Sequence, residues 1–94
     1  MENKKDITQF TLIDGKFTPK EAKEILLYLV FSKINFHARK NLGAVERLGE
    51  PDSLSEKRME QLFKTEKDIK AFLDDHLGND KKLVIKSSID ISFE

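Results

Sequence analysis

The side chains best suited to chemistry are the two histidines, His37 and His76, each with charged or polar neighbours. His37 lies in the stretch SKINFHARKN, residues 32–41, which could supply a general base, a metal ligand or a cationic contact to nucleic acid. His76 ends the trio Asp74-Asp75-His76, which has the residue types of a metal or acid–base site. The chain has no cysteine, which excludes disulfides, thiolate zinc sites and cysteine nucleophiles.

The spacing of these residues does not favour a catalytic or metal site. A metal ligand needs partners at matched spacing, and the chain has no HxxxH or HExxH pair. On a helix, Asp74 and Asp75 fall on the solvent side and His76 falls near the apolar edge, so the three do not converge. The serines lack a GxSxG context, and the four glycines form no GxGxxG or Walker pattern. We therefore expect no enzymatic activity and no catalytic, cofactor-binding or metal-binding residues.

Charge also limits the function. With 17 basic and 17 acidic side chains the formal net charge is zero, which argues against a general polyanion binder. Arg39 and Lys40 lie in the last turn of a predicted helix, where cations offset the partial negative charge of the exposed carbonyls. The alternative is a basic ridge of Lys33, His37 and Lys40 that contacts nucleic acid.

The chain is predicted to be a single domain, residues 1–94, in the cytoplasm. The N-terminal stretch, residues 1–10, is charged, and the longest apolar run, residues 25–31, is too short for a membrane span of about 20 residues. A chain of this length buries only about 60–65% of its unfolded surface, so a partner surface could matter to its stability.

Hydrophobic periodicity predicts four elements. A half-buried strand covers residues 7–13, and Asp14-Gly15 marks a turn. A helix covers residues 19–42, with a capping box between Thr18 and Glu21 and with Gly43 as its stop. After a linker, residues 43–52, a second helix covers residues 53–77, and alternating residues near 83–93 predict a second strand. We expect an α+β fold in two layers, with two long antiparallel helices packed on a small antiparallel sheet.

The first helix carries more apolar surface than one neighbour can cover. Its apolar arc spans about 260° of the helical wheel, against about 180° for the second helix. A two-stranded sheet also leaves exposed edges. These features favour a homodimer joined through the wide face of helix 1, a strand edge, or both. The interface candidates on that face are Leu27, Phe31, Ile34, Ala38 and His37. In the alternative, the chain is a monomer whose linker folds back as a lid, using Val45 and Leu48.

Three segments carry a resemblance to a known group of proteins: DGKFTPKEAKEILL (residues 14–27), KINFHARKN (residues 33–41) and SEKRMEQL (residues 55–62). With the alternating final strand, they resemble a family of small bacterial proteins that have no assigned activity. The resemblance implies a stand-alone small domain of unknown role, and it supplies no catalytic residues.

Three functional hypotheses follow. The first is a non-enzymatic interaction or structural domain, homodimeric or bound to another protein, without a cofactor and without a membrane. The second is a small DNA- or RNA-binding regulator, because a strand followed by two helices resembles the ribbon-helix-helix order. The third is a ligand pocket between helix 1 and the sheet, with His37 inside it.

Overall fold

The computed structural model describes residues 6–78 and 80–94. The elements follow in the order β1 (Ile7–Phe17), α1 (Pro19–Leu48), α2 (Ser53–Asp74) and β2 (Leu83–Ser92). The strands form an antiparallel sheet, and the antiparallel helix pair contacts one end of it. The predicted α+β class and the strand-helix-helix-strand order are confirmed. Residues 1–5, half of the charged N-terminal stretch, lie outside the described part of the chain.

The two strands form a long ribbon with one apolar and one polar face. Directly opposite residues share a face, so Phe10 and Ile89 lie on the apolar side. Gln9 and Asp90 lie on the polar side, where the Gln9 amide donates a 2.8 Å hydrogen bond to the Asp90 carboxylate. The register shifts between Thr11 and Ile13, which makes Leu12 the extra residue of a β-bulge. The bulge returns Ile13 to the apolar face.

The predicted turn at Asp14-Gly15 is wrong. β1 continues through both residues to Phe17, because Asp14 pairs with Lys86 and Gly15 pairs with Ile85 of β2. The local preference of an Asp-Gly pair for a turn is overridden by the second strand, which supplies hydrogen-bond partners along the whole segment.

Helix α1 begins as the sequence predicts and ends six residues later than predicted. Thr18 caps it, with the Glu21 side chain reaching back to the Thr18 backbone, so the capping box is confirmed. Gly43 lies inside the helix. The helix stops at Gly49, which has φ 80° and adopts the left-handed conformation that ends many helices. The predicted linker is therefore reduced to residues 49–52.

Helix α2 has a different cap and an earlier end than predicted. The cap is Asp52, whose carboxylate accepts a 2.9 Å hydrogen bond from the Ser55 backbone N–H. The sequence pattern Ser-x-x-Glu at residues 53–56 predicts a capping box with Ser53 as the cap, but the cap lies one residue earlier. The helix ends at Asp74, and residues 75–78 form a turn. No helix in the described ranges is long and apolar enough to cross a membrane.

The core is small and lies mainly between the helices. Ala22, Val30 and Ala44 of α1 are buried, as are Leu62 and Leu73 of α2. The two alanines let the helix backbones approach closely. The Lys23 ammonium group pairs with the Asp74 carboxylate at 2.7 Å, which joins the start of α1 to the end of α2.

The molecule is flat and extended. Its principal extents are 50 × 43 × 14 Å, and its radius of gyration is 17.3 Å, against about 12 Å for a compact domain of this length. The 30 residues of α1 are about 45 Å long. Helix α1 accounts for the 50 Å extent. The 43 Å extent arises because the ribbon, about 36 Å long, extends away from the helices.

Candidate interaction surfaces

A polar cluster at the connection between the helices contains a serine, a histidine and an aspartate. The His37 Nδ1 atom lies 3.2 Å from the Ser55 hydroxyl oxygen, and the ring packs edge-on against Phe36. Ser55 is 1% exposed. The same residue types form the triad of serine hydrolases, so their order in space decides what this cluster can do.

The order does not match that of a triad. In a triad, the aspartate orients the histidine and the serine is open to substrate. Here Asp52 accepts a hydrogen bond from Ser55 instead of from the histidine, and the serine is buried. The Ser55 hydroxyl and backbone N–H lower the pKa of Asp52 below its usual value, and the positive charge of Lys40 adds a smaller effect. The Asn41 side chain also accepts a 2.8 Å hydrogen bond from the Asp52 backbone. The cluster fastens the turn between the helices.

The trio at residues 74–76 is divided among separate partners. Asp74 pairs with Lys23, whereas the His76 Nδ1 atom donates a 2.7 Å hydrogen bond to the Phe72 carbonyl in the last turn of α2. The side chains therefore point to different neighbours, in agreement with the expectation that they do not converge. Within residues 6–78 and 80–94, no group of three or more His, Cys, Asp and Glu side chains is placed to hold a metal ion.

Four of the five predicted interface residues lie on one stripe of α1. Leu27, Phe31, Ile34 and Ala38 are spaced four, three and four residues apart, which places them on the same helix face. Phe31 is 58% exposed, and the other three are half-buried. We call these four residues the outer stripe. His37 is separate from it, because its ring faces Ser55 of α2 within the same chain.

The residues proposed as a lid do not cover this stripe. Val45 and Leu48 belong to α1 itself, since the helix continues to Leu48, and both are exposed. The alternative in which the linker folds back over helix 1 is therefore wrong for the structure described.

A groove of about 400 Å³ opens where the helices meet the start of β2. Its apolar walls come from one residue of α1, from the last turns of α2 and from the first residues of β2: Leu26, Ile69, Phe72, Leu73, Leu83 and Ile85. A ligand pocket was predicted between helix 1 and the sheet, but α1 contributes only Leu26 to this groove, and α2 supplies the rest of its helical wall. In the described structure His37 lies elsewhere, between the helices, so that part of the prediction is wrong.

The groove and the outer stripe face opposite sides of the helix pair. Leu26 in the groove and Phe31 on the stripe are five residues apart, which turns them by about 140° around the helix axis. Sequence patterns indicate the outer stripe, but they do not indicate which residues of α2 and β2 line the groove. In the sequence, the groove residues of α2 belong to an ordinary apolar helix face.

The outer half of the ribbon carries a third apolar surface. On its apolar face Phe10 is 55% exposed and Ile91 is 52% exposed, and Phe93 just beyond β2 is 91% exposed. The inner half of the same face is better covered, since Ile13 is buried and Phe17, Leu83 and Ile85 are half-buried. We call Phe10, Ile89, Ile91 and Phe93 the overhang. These residues lie away from the helices because the ribbon is long.

Comparisons of the chain with protein-family models, curated proteins and solved structures found no match. The resemblance to a family of small bacterial proteins therefore stays a prediction.

Proposed function

We propose that this protein is a non-enzymatic interaction domain that assembles as a homodimer. The observation that carries the proposal is its surface area. The chain exposes 7677 Å², whereas a compact monomer of 10.9 kDa exposes about 5,600 Å². The excess of about 2,000 Å² lies in the range that each subunit of an obligate homodimer buries.

The chemical character of the excess supports the same proposal. Large apolar side chains are exposed in every element, including Phe10, Phe31, Phe63, Phe72 and Ile91. Leaving apolar area in water costs about 25 cal/mol per Å², and a second copy removes that cost. The outer stripe and the overhang are the two surfaces offered. One of them can bind a second copy while the other remains for a different protein.

The test is the solution mass at micromolar concentration, measured by analytical ultracentrifugation. We expect twice the chain mass of 10.9 kDa. Because the interface is apolar, we expect the dimer to persist in high salt. A monomer with native helix content at this concentration would contradict the proposal.

The second candidate, a nucleic-acid-binding regulator, is favoured by one feature. Arg39, Lys40 and Arg47 line a shallow depression around Phe36 on α1. The predicted ridge of Lys33, His37 and Lys40 differs from this cluster, because His37 faces Ser55. Steep salt-dependent binding to generic duplex DNA, absent in a variant with all three cations replaced by glutamine, would support this candidate.

A further inference from the structure

We infer that two chains join through the free edge of β2, antiparallel about a two-fold axis at Ser88, to form a four-stranded sheet. This inference rests on the proposed function, because it names the surface through which the second copy binds. It follows from the difference between the two ribbon edges, from the charges along β2 and from the position of the groove.

The two edges of the ribbon differ in regularity. β1 is interrupted by the bulge at Leu12, and bulges are a common means of preventing strand addition. β2 carries the other edge, and its partners in β1 follow one another without a bulge from Leu83 to Ser87 and from Ser88 to Ser92. Its edge offers backbone donors and acceptors that another strand can pair with. A second β2 is the strand that a two-fold axis brings to this edge.

The sequence of β2 is complementary to itself in one register. With Ser88 opposite the partner's Ser88, Lys86 lies opposite the partner's Asp90 on the polar face. An axis at Lys86 or at Asp90 places like charges opposite each other. An axis at Ser87 or at Ile89 places both charged side chains opposite neutral ones. The axis at Ser88 therefore has the best charge complementarity.

The same register continues an arrangement already present within the chain. Asp14 lies opposite Lys86, and Gln9 is hydrogen-bonded to Asp90. Across four strands the polar face then reads Asp14, Lys86, the partner's Asp90 and the partner's Gln9. Lys86 then lies between two carboxylates, and the partner's Asp90 lies between Lys86 and the partner's Gln9.

On the apolar face, this register covers the overhang. Ile85 lies opposite the partner's Ile91, and Leu83 lies opposite the partner's Phe93. Leu83 and Ile85 also line the groove, together with Ile69 and Phe72 of α2. The two-fold axis is perpendicular to the sheet, so both apolar faces lie on the same side. The helices of one chain thus cover the overhang of the other, and the partner's Phe93 fills the groove.

Cross-linking tests the axis directly, because the chain contains no cysteine. In Ser88→Cys the two introduced thiols lie on the axis, at the roughly 4.5–5.5 Å Cα separation of opposite residues, which suits a disulfide. We expect near-complete covalent dimer on mild oxidation, seen by non-reducing gel. The control is Ser92→Cys, whose two thiols lie about 27 Å apart in this register, so it should remain uncross-linked.

Charge exchange between chains tests the register. Lys86→Asp and Asp90→Lys each place like charges across their own homodimer interface, whereas a mixture of the two restores opposite charges at both positions. Contacts within each chain are the same in homodimer and heterodimer, so they cancel. We expect native mass spectrometry to show about nine-tenths heterodimer, against the one-half that random pairing gives.

The outcomes separate this inference from the proposed function. If the native chain is a dimer by mass but Ser88→Cys does not cross-link, or the charge variants pair at random, the β2 edge is excluded and the dimer uses the outer stripe. If the native chain is a monomer at micromolar concentration, both the inference and the proposed function are wrong.

Discussion

Ser55 links the start of α2 to α1. Its backbone N–H donates to the Asp52 carboxylate, and its hydroxyl lies beside the His37 ring. Asn41 adds a contact from α1 to the Asp52 backbone. An unpaired buried hydroxyl costs about 1–3 kcal/mol, and the Ser55 hydroxyl avoids this cost through its contacts with the Asp52 carboxylate and the His37 ring. His37 therefore has a sufficient structural role without any chemistry.

Asp52 makes the stability of this turn depend on pH. Its folded-state pKa lies below the ordinary value of 3.8, because the Ser55 hydroxyl and backbone N–H stabilise the carboxylate. The stabilisation is complete above about pH 3.8 and is lost as the pH falls through the folded-state pKa. We expect Asp52→Asn, which keeps a capping oxygen without a charge, to lose less stability than the native chain between about pH 5 and pH 2.

The measurement is urea unfolding followed by circular dichroism at fixed protein concentration across this pH range. Asp52→Ala serves as the second variant, because it also removes the cap and should lower the free energy of unfolding at neutral pH. Parallel pH profiles for the native chain and Asp52→Asn would show that this carboxylate does not contribute to the pH dependence of the stability.

The ends of the helices and strands differ in whether residues adjacent in sequence determine them. The start of α1 depends on Thr18, Pro19 and Glu21, which are adjacent in sequence. Its end depends on packing. Gly43 would end an isolated helix, but the buried residue Ala44 follows it and the helix continues to the left-handed Gly49.

Two glycine substitutions should have opposite effects on stability. Gly43→Ala should raise the free energy of unfolding by about 0.5–1 kcal/mol, because alanine is the better helix former. The added Cβ meets only the mobile end of the Arg47 side chain, at 3.3 Å. Gly49→Ala should lower it by about 1 kcal/mol, because the residue has φ 80°. Urea unfolding of both variants measures the difference. A destabilising Gly43→Ala with a neutral Gly49→Ala would place the helix end at Leu42.

The same distinction explains what could be predicted from the sequence. The element order, the capping box at Thr18 and the alternation along β2 are local patterns, and all three are confirmed. The extension of β1 through Asp14 and Gly15 depends on β2, about 70 residues away. The contact between His37 and Ser55, and the groove between α2 and β2, depend on how separate segments meet. Spacing along one helix identifies a shared face, but it does not identify the residues opposite.

The core of the whole molecule is too small to bury all of its large apolar side chains. The helix pair buries a narrow core, and the ribbon extends its apolar face beyond the helices. In the four-stranded arrangement, each chain supplies what the other lacks: one contributes a groove and the other contributes an overhang. The sheet then has four strands in place of the marginal two.

Charging two exposed phenylalanines distinguishes the possible interfaces. Phe93→Lys places a cation in the partner's groove and should weaken the dimer by about 30-fold or more, yielding folded monomers. Phe31→Lys changes the outer stripe, on the other side of the helices, and should alter the dissociation constant by less than about three-fold. Sedimentation at several concentrations measures both, with circular dichroism confirming that each variant is folded. The reverse pattern would assign dimerisation to the outer stripe.

The bulge at Leu12 has a consequence for how far such an assembly can grow. In the four-stranded sheet, β1 of each chain forms an outermost strand, and a regular outermost strand would accept further copies without limit, as in fibrils. The extra residue breaks the repeat of backbone donors and acceptors there. It thus acts as a terminator that keeps the assembly finite and closed.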